Sequence, residues 1–121
     1  MKKITWSELR VLTSSQSTIL TLEKYLAWEP LQKVDEEKLS FIGLLISDDP
    51  SIHVFNSEFP SPYNYWAKNY PIALRYYPYN GCEIYKNNET SYLYFVYLEF
   101  GGHVPEKRCR LVQKELIIDH V

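Results

Sequence analysis

Residues 91–100 read SYLYFVYLEF, with only Ser91 and Glu99 outside the apolar and aromatic set. Tyr, Phe and Val favour a pleated, half-buried backbone over a helix. Strand alternation puts Tyr92, Tyr94, Val96, Leu98 and Phe100 on one face and Leu93, Phe95, Tyr97 and Glu99 on the other. A strand apolar on both faces belongs in the interior of a sheet, with a helix over at least one side. This reading sets the class: α+β, a mostly antiparallel sheet of five to seven strands with one or two helices packed on one face.

Working outward, the same composition continues upstream. Ten of the eleven tyrosines fall between Tyr63 and Tyr97. Residues 72–77 and 82–85 read as strands joined by Pro78-Tyr79-Asn80-Gly81, and Asn-Gly between β-formers is a strong hairpin signal. Residues 86–90 (KNNET) form the next turn, which also accounts for the sequon Asn88-Glu89-Thr90. Residues 57–71 carry three prolines. Proline lacks an N–H donor, so this segment reads as loop or short helical turn. Residues 39–47 (LSFIGLLIS) are a short apolar run between charges, a buried strand. Asp48-Asp49-Pro50-Ser51 is turn chemistry, and 52–56 is expected to return as its hairpin partner.

The ends are less regular. Residues 2–6 read as a first strand. From Ser14 or Ser15 to Trp28, Ile19, Leu22 and Leu26 recur at helical spacing and Pro30 closes the segment; the rival is a strand over 18–22. Residues 31–38 are a polar connection. Residues 108–120 alternate as a strand but also fit a helix, and the Ile117-Ile118 pair tilts the reading toward strand.

A chain of 121 residues, 45% apolar and 23% charged, fits one globular domain spanning 1–121. The net charge of −2 argues against generic affinity for nucleic acid, which needs surplus Lys and Arg. Charge is uneven: residues 29–58 hold seven carboxylates against Lys33 and Lys38. Cys82 and Cys109 lack paired-ligand spacing. No apolar leader opens the sequence, and the run from Phe41 to Ile46 is too short to span a bilayer. The expected location is cytoplasmic, with both thiols reduced and no membrane contact.

Catalytic chemistry finds little support. His53 alternates with Ile52 and Val54 in an expected strand, His103 follows a Gly-Gly pair, and His120 is near the end of the chain. A general base needs an orienting group and a cleft, which spacing alone does not supply. No close pair among Cys82, Cys109, His103 and His120 has metal-ligand spacing, and phosphate-loop, dinucleotide and nucleophile-elbow patterns are absent. The expectation is a non-enzyme without metal or cofactor. Tyr92, Tyr94 and Phe95 would suit a base-stacking platform, but basic residues do not interleave with them. The alternative is a small enzyme or ligand-binding domain with an aromatic pocket, or an unrelated interaction module.

WSEL at 6–9, DEEK at 35–38 and PSPYNYW at 60–66, in an aromatic β-rich body, resemble in character the bacterial immunity proteins. Those are encoded beside polymorphic toxins such as those of contact-dependent growth inhibition. The resemblance implies a protein that binds and neutralises a cognate toxin domain, often a nuclease, by acid–base complementarity. The candidate partner-binding residues are the acidic Asp35, Glu36, Glu37, Asp48, Asp49 and Glu58 and the rings of Phe59, Tyr63, Tyr65, Trp66 and Tyr70. Exposed rings on a proline-broken segment beside acidic residues are the composition of a protein-binding face.

Overall fold

The computed structural model describes residues 2–14, 23–49, 51, 53–102 and 104–118. The order is β1 (Lys3–Thr5), α1 (Trp6–Ser14), β2 (Glu29–Pro30), α2 (Lys33–Glu36), β3 (Leu39–Ile46), β4 (Ile72–Ala73), β5 (Glu83–Asn87), β6 (Leu93–Glu99), β7 (Glu106–Leu111), a 3₁₀ turn (Lys114–Leu116) and β8 (Ile117–Ile118). Six strands form one sheet in the order β1-β3-β5-β6-β7-β2, while β4 and β8 form a small parallel pair. All neighbours in the main sheet run antiparallel except β1 and β3. The fold is α+β.

β6 is the interior strand its composition demands. Leu93 and Phe95 enter one core with Trp28, Ile84, Leu9 and Tyr79. Tyr94 and Val96 enter a second with Tyr25, Cys109 and Leu111. The β6–β7 register carries the alternation across: Tyr94, Val96 and Leu98 share a face with Leu111, Cys109 and Lys107, while Phe95 and Tyr97 share the other with Arg110 and Arg108. With Tyr94 and Phe95 at 4% and 0% exposure, these rings are core and form no stacking platform.

Two expected hairpins fold differently, and one expected helix lies mainly outside the described residues. The helix expected from Ser14 or Ser15 to Trp28 falls mainly on 15–22, outside the described residues; 23–28 run as turns and bends. A helix that the sequence reading did not place forms earlier, at Trp6–Ser14. Its start is a capping box: Glu8 N–H donates to Thr5 Oγ1 and Thr5 N–H donates to Glu8 Oε1, both at 3.1 Å. Trp6, Leu9 and Thr13 then bury one stripe, at helical spacing.

The hairpin expected across 39–56 does not form, because β3 pairs with β1 and β5. Asp49 does make its turn, accepting from Ser51 N–H and Oγ. The chain after it then lies along 75–77, through Phe55 N–H to Arg75 O and Tyr77 N–H to Ser57 O. A turn reverses the chain without choosing its partner. The hairpin across Asn80-Gly81 is also absent. Residues 74–82 pass through stacked turns, with N–H to O bonds from Tyr76 to Ala73, Tyr79 to Tyr76 and Cys82 to Tyr79. Gly81 does take the left-handed backbone, at φ +82°, but it docks on β3, its N–H bonded to Leu45 O. Pro71 and Pro78 bracket this stretch, which suits turns better than a ladder. Residues 108–118 are strand, 3₁₀ turn and strand, so the strand reading holds for most of that segment.

No helix among the described residues is long and apolar enough to cross a membrane.

Candidate functional site: an aromatic anchor over a charged hub

The proline-broken segment alternates between core and solvent. Tyr65 and Tyr70 are buried at 5% and 0% exposure, whereas Tyr63 and Trp66 are 43% and 51% exposed. Tyr65 stacks on Trp28 with ring centroids 5.9 Å apart and planes 6° from parallel. Tyr70 accepts a hydrogen bond from Phe59 N–H at 2.8 Å, tying the start of the segment to its end. Trp66 N–H donates to the Asn64 side chain at 2.8 Å, and Ala67 N–H to Asn64 O at 3.0 Å. This Asx turn throws consecutive rings to opposite sides. Tyr65 and Tyr70, expected as partner-binding rings, are therefore core pillars of the loop. Trp66 and Tyr63 remain as exposed anchors, and half-buried Phe59 supports Tyr63 edge-on at 5.3 Å.

Beneath Trp66 lies Arg108. Its guanidinium sits 4.5 Å from the indole centroid and 5.7 Å from that of Tyr65, a cation–π stack. Arg108 is held from below by four acceptors: Glu106 Oε1 at 2.9 Å, Tyr97 Oη at 3.2 Å, Glu99 Oε1 at 3.3 Å and Tyr65 Oη at 3.5 Å. The Tyr65 and Tyr97 hydroxyls also bond to each other. Glu99 Oε1 accepts from Tyr77 at 2.8 Å and Tyr97 at 3.1 Å, and Oε2 accepts from Gly101 N–H at 3.2 Å.

The hub is strongly poised. Burial works against ionised Glu99, but donors from Tyr77, Tyr97 and Gly101, with the Arg108 charge, hold its carboxyl below the ordinary range. Burial pushes the Tyr65 phenol up to about 12, against the pull of Tyr97 and Arg108. Burial also lifts Tyr77 to about 12, and its bond to anionic Glu99 adds to the rise. At neutral pH the site is thus a fixed Glu99⁻–Arg108⁺–Glu106 array among neutral phenols. An array whose rotamers are locked can hold an indole still, which is what a low-entropy binding anchor requires.

The acidic candidates do not join it. The sheet divides them: Lys107 and Arg108 point to opposite faces, and Glu36 pairs with Lys107 on the far one. Asp35 is bound there by Lys24 at 2.9 Å and by the Tyr25 hydroxyl, which with Lys24 keeps its carboxyl below the ordinary range. Glu37 is exposed on the same connection. Asp48 caps α1 through Ser7 N–H and Oγ, and Asp49 closes its own turn. Of the six acids, only exposed Glu58 belongs to the aromatic segment. Glu99, Glu106 and Arg108, which the sequence reading did not single out, supply the charge instead. Their only sequence signal is period-two alternation, which places Arg108 with Tyr97 only once the register is known.

Chemistry elsewhere is sparse. His53 is exposed, edge-on to Phe55 at 4.6 Å; His103 and His120 lie outside the described residues. Cys82 and Cys109 are free and buried in different cores, and burial pushes both thiols up. Among the described residues no group of three His, Cys, Asp or Glu could hold a metal. A groove of about 720 Å³ lies between α1 and the sheet, walled by Ile4, Val11, Leu12, Ile42 and Leu93.

Fold and site together define an α+β sheet protein whose exposed anchor is an indole stacked on a clamped guanidinium. Comparison with protein-family models, with curated proteins and with solved structures finds no match.

Proposed function

We propose that this is a non-enzymatic inhibitor of the immunity type, which binds and neutralises a cognate bacterial toxin domain in the cytoplasm. One observation carries the reading. Trp66 is half exposed on an irregular loop, yet its inner face rests on Arg108, which Glu99, Glu106 and two phenols hold in place. Large apolar groups presented rigidly to solvent are the residues on which protein interfaces concentrate their energy. Beneath the ring, Glu99 and Glu106 together outnumber Arg108, which leaves the anchor site acidic. A nuclease, whose substrate surface is basic, is the toxin class that such a site suits.

The test is co-expression with the product of the adjacent gene, followed by affinity purification. The expected result is a stoichiometric complex that suppresses the partner's toxicity, and a Trp66→Ala variant that binds it about 30-fold more weakly, ~2 kcal/mol. A non-toxic neighbour, with no complex at micromolar concentration, would sink the proposal. A second reading, a small ligand-binding domain, draws on the groove beside α1. A ligand that raises the melting temperature in wild type but not in Leu12→Glu would favour it.

A further inference from the structure

We infer that the edge of β6 beyond the end of β5, open at Leu98, receives an extended, basic segment of the protein that this chain binds. The inference rests on the partner-binding reading above, and it adds a second point of contact of a different kind.

The hydrogen-bond parity of β6 locates the opening. Asn87 N–H donates to Tyr92 O at 2.8 Å and the Cys82 thiol to Val96 O at 3.3 Å, so even-numbered carbonyls of this stretch point toward β5. Val112 N–H donates to Leu93 O at 2.9 Å, so odd-numbered ones point toward β7. Residues Leu98 and Val96 have the same parity, so the N–H and C=O of Leu98 also turn to the β5 side. But β5 ends there. Its register runs from Lys86 opposite Leu93 to Glu83 opposite Val96, and nothing of β5 lies opposite Leu98. β7 continues on the other side, to Glu106 opposite Glu99.

In place of a strand there is a hollow of about 400 Å³, bounded by Tyr77, Pro78 and Gly81 and by Leu98 and Phe100. The loop across it makes no backbone bond to Leu98 among the described residues. Leu98 and Phe100 share a face and are 42% and 69% exposed, with Val104 at 75% in the turn beyond. An unpaired edge with apolar side chains beside it is the template that strand addition uses, main-chain bonds giving affinity and alternate side chains giving grip.

Charge selects the occupant. Glu83 lies on the same face as Val96 and Leu98, on the open side of β6, and no ion pair among the described residues engages it, whereas Glu99 and Glu106 lie on the other face around Arg108. The hairpin's own cations are engaged: Lys107 by Glu36 and Arg108 by Glu99 and Glu106. The edge therefore carries a carboxylate surplus that a lysine or arginine of the incoming segment matches.

The experiment uses the full chain and the co-purified adjacent-gene product. Hydrogen exchange should show the Leu98 amide fast in the free protein and protected in the complex. Leu98→Pro removes the N–H without breaking a β7 bond and is compatible with an edge position. It should keep the fold by circular dichroism and weaken binding about tenfold or more. Leu98→Thr, which keeps the N–H, should bind within about threefold of wild type. Glu83→Gln should slow association at low salt. A complex formed equally well by Leu98→Pro overturns the inference while the functional reading stands. So does a Leu98 amide protected in the free protein at low concentration, or one protected only as concentration rises, which would make the occupant a second copy. An unchanged association rate in Glu83→Gln removes the basic occupant. Absence of any wild-type complex defeats the functional reading and this inference together.

Discussion

Two tryptophans of this chain should respond to the same substitution by different amounts, because one is structure and the other is surface. Trp28 is 1% exposed, packed against Tyr65, Tyr79, Phe95 and Tyr97, and its indole N–H donates to Tyr79 Oη at 3.2 Å. Trp28→Ala leaves a cavity that the four surrounding rings cannot close and should cost about 3–5 kcal/mol. Trp66 is 51% exposed. Burying half of a side chain of roughly 200 Å² at about 25 cal/mol/Å² gives ~2.5 kcal/mol as an upper bound. Part of that surface is covered by Arg108, which its own acceptors still hold when the ring is gone, and the Asx turn at Asn64 survives because it uses only the Trp66 backbone N–H. Trp66→Ala should therefore cost about 1–2 kcal/mol. Urea denaturation of the isolated protein, with folded baselines checked by circular dichroism, measures both. A Trp66→Ala cost of 3 kcal/mol or more, on the scale of a core truncation, would mean that Trp66 is core and the anchor assignment is wrong. A partner affinity unchanged by Trp66→Ala, at retained stability, would show that the exposed ring is not a contact.

Three further outcomes follow from other parts of the structure. A Cβ at Gly43 would meet Ile4 Cγ1 at 2.7 Å and Lys2 O at 3.3 Å, so Gly43→Ala should cost about 1–3 kcal/mol despite its gain in chain stiffness. Ile4→Ala in the same chain should then cost less than it does alone, and additive costs in a double-mutant cycle would refute the clash. Glu99 has a carboxyl held below its unfolded value, so its stabilising contribution is present above about pH 4.5 and fades as pH falls through the lowered value. Glu99→Gln should accordingly be less stable than wild type at pH 7 and equal to it near pH 2, and a pH-independent difference would contradict the ionic role. The phenols of Tyr65, Tyr77 and Tyr85 are pushed up to about 12, chiefly by burial. A raised value stabilises the fold below about pH 10 and is lost as pH climbs toward it. Tyrosinate absorbance should rise in a cooperative step with alkaline unfolding; smooth titration with the fold intact would show the rings to be solvated.

The site was half legible. Residues 57–71 could be flagged because proline forbids a ladder while the rings demand an explanation. Which rings face outward could not be read, since the alternation of Tyr65 in and Trp66 out depends on one Asx turn and on Trp28 waiting beneath. The acidic run from 29 to 58 looked contiguous in sequence. In space it parts into the Lys24 and Lys107 pairs, the cap on α1, a closed turn and the exposed Glu58. The Thr5–Glu8 capping box is legible in the sequence, but Val11 and Leu12, both exposed, blur the helical stripe of Trp6, Leu9 and Thr13.

Local composition by itself determined the α+β class, the buried strand at β3 and the two-faced interior strand at β6, because alternation and burial follow from side chains a few positions apart. It also marked the turns at Asp49, Gly81 and Asn88. Only the tertiary structure decided which strands meet after those turns, since pairing is a competition among distant segments for the same edges. It decided as well that Arg108 lies under Trp66, and that β6 outruns β5 by the residue whose N–H and C=O are left open. These are consequences of register, and register is set by the whole sheet.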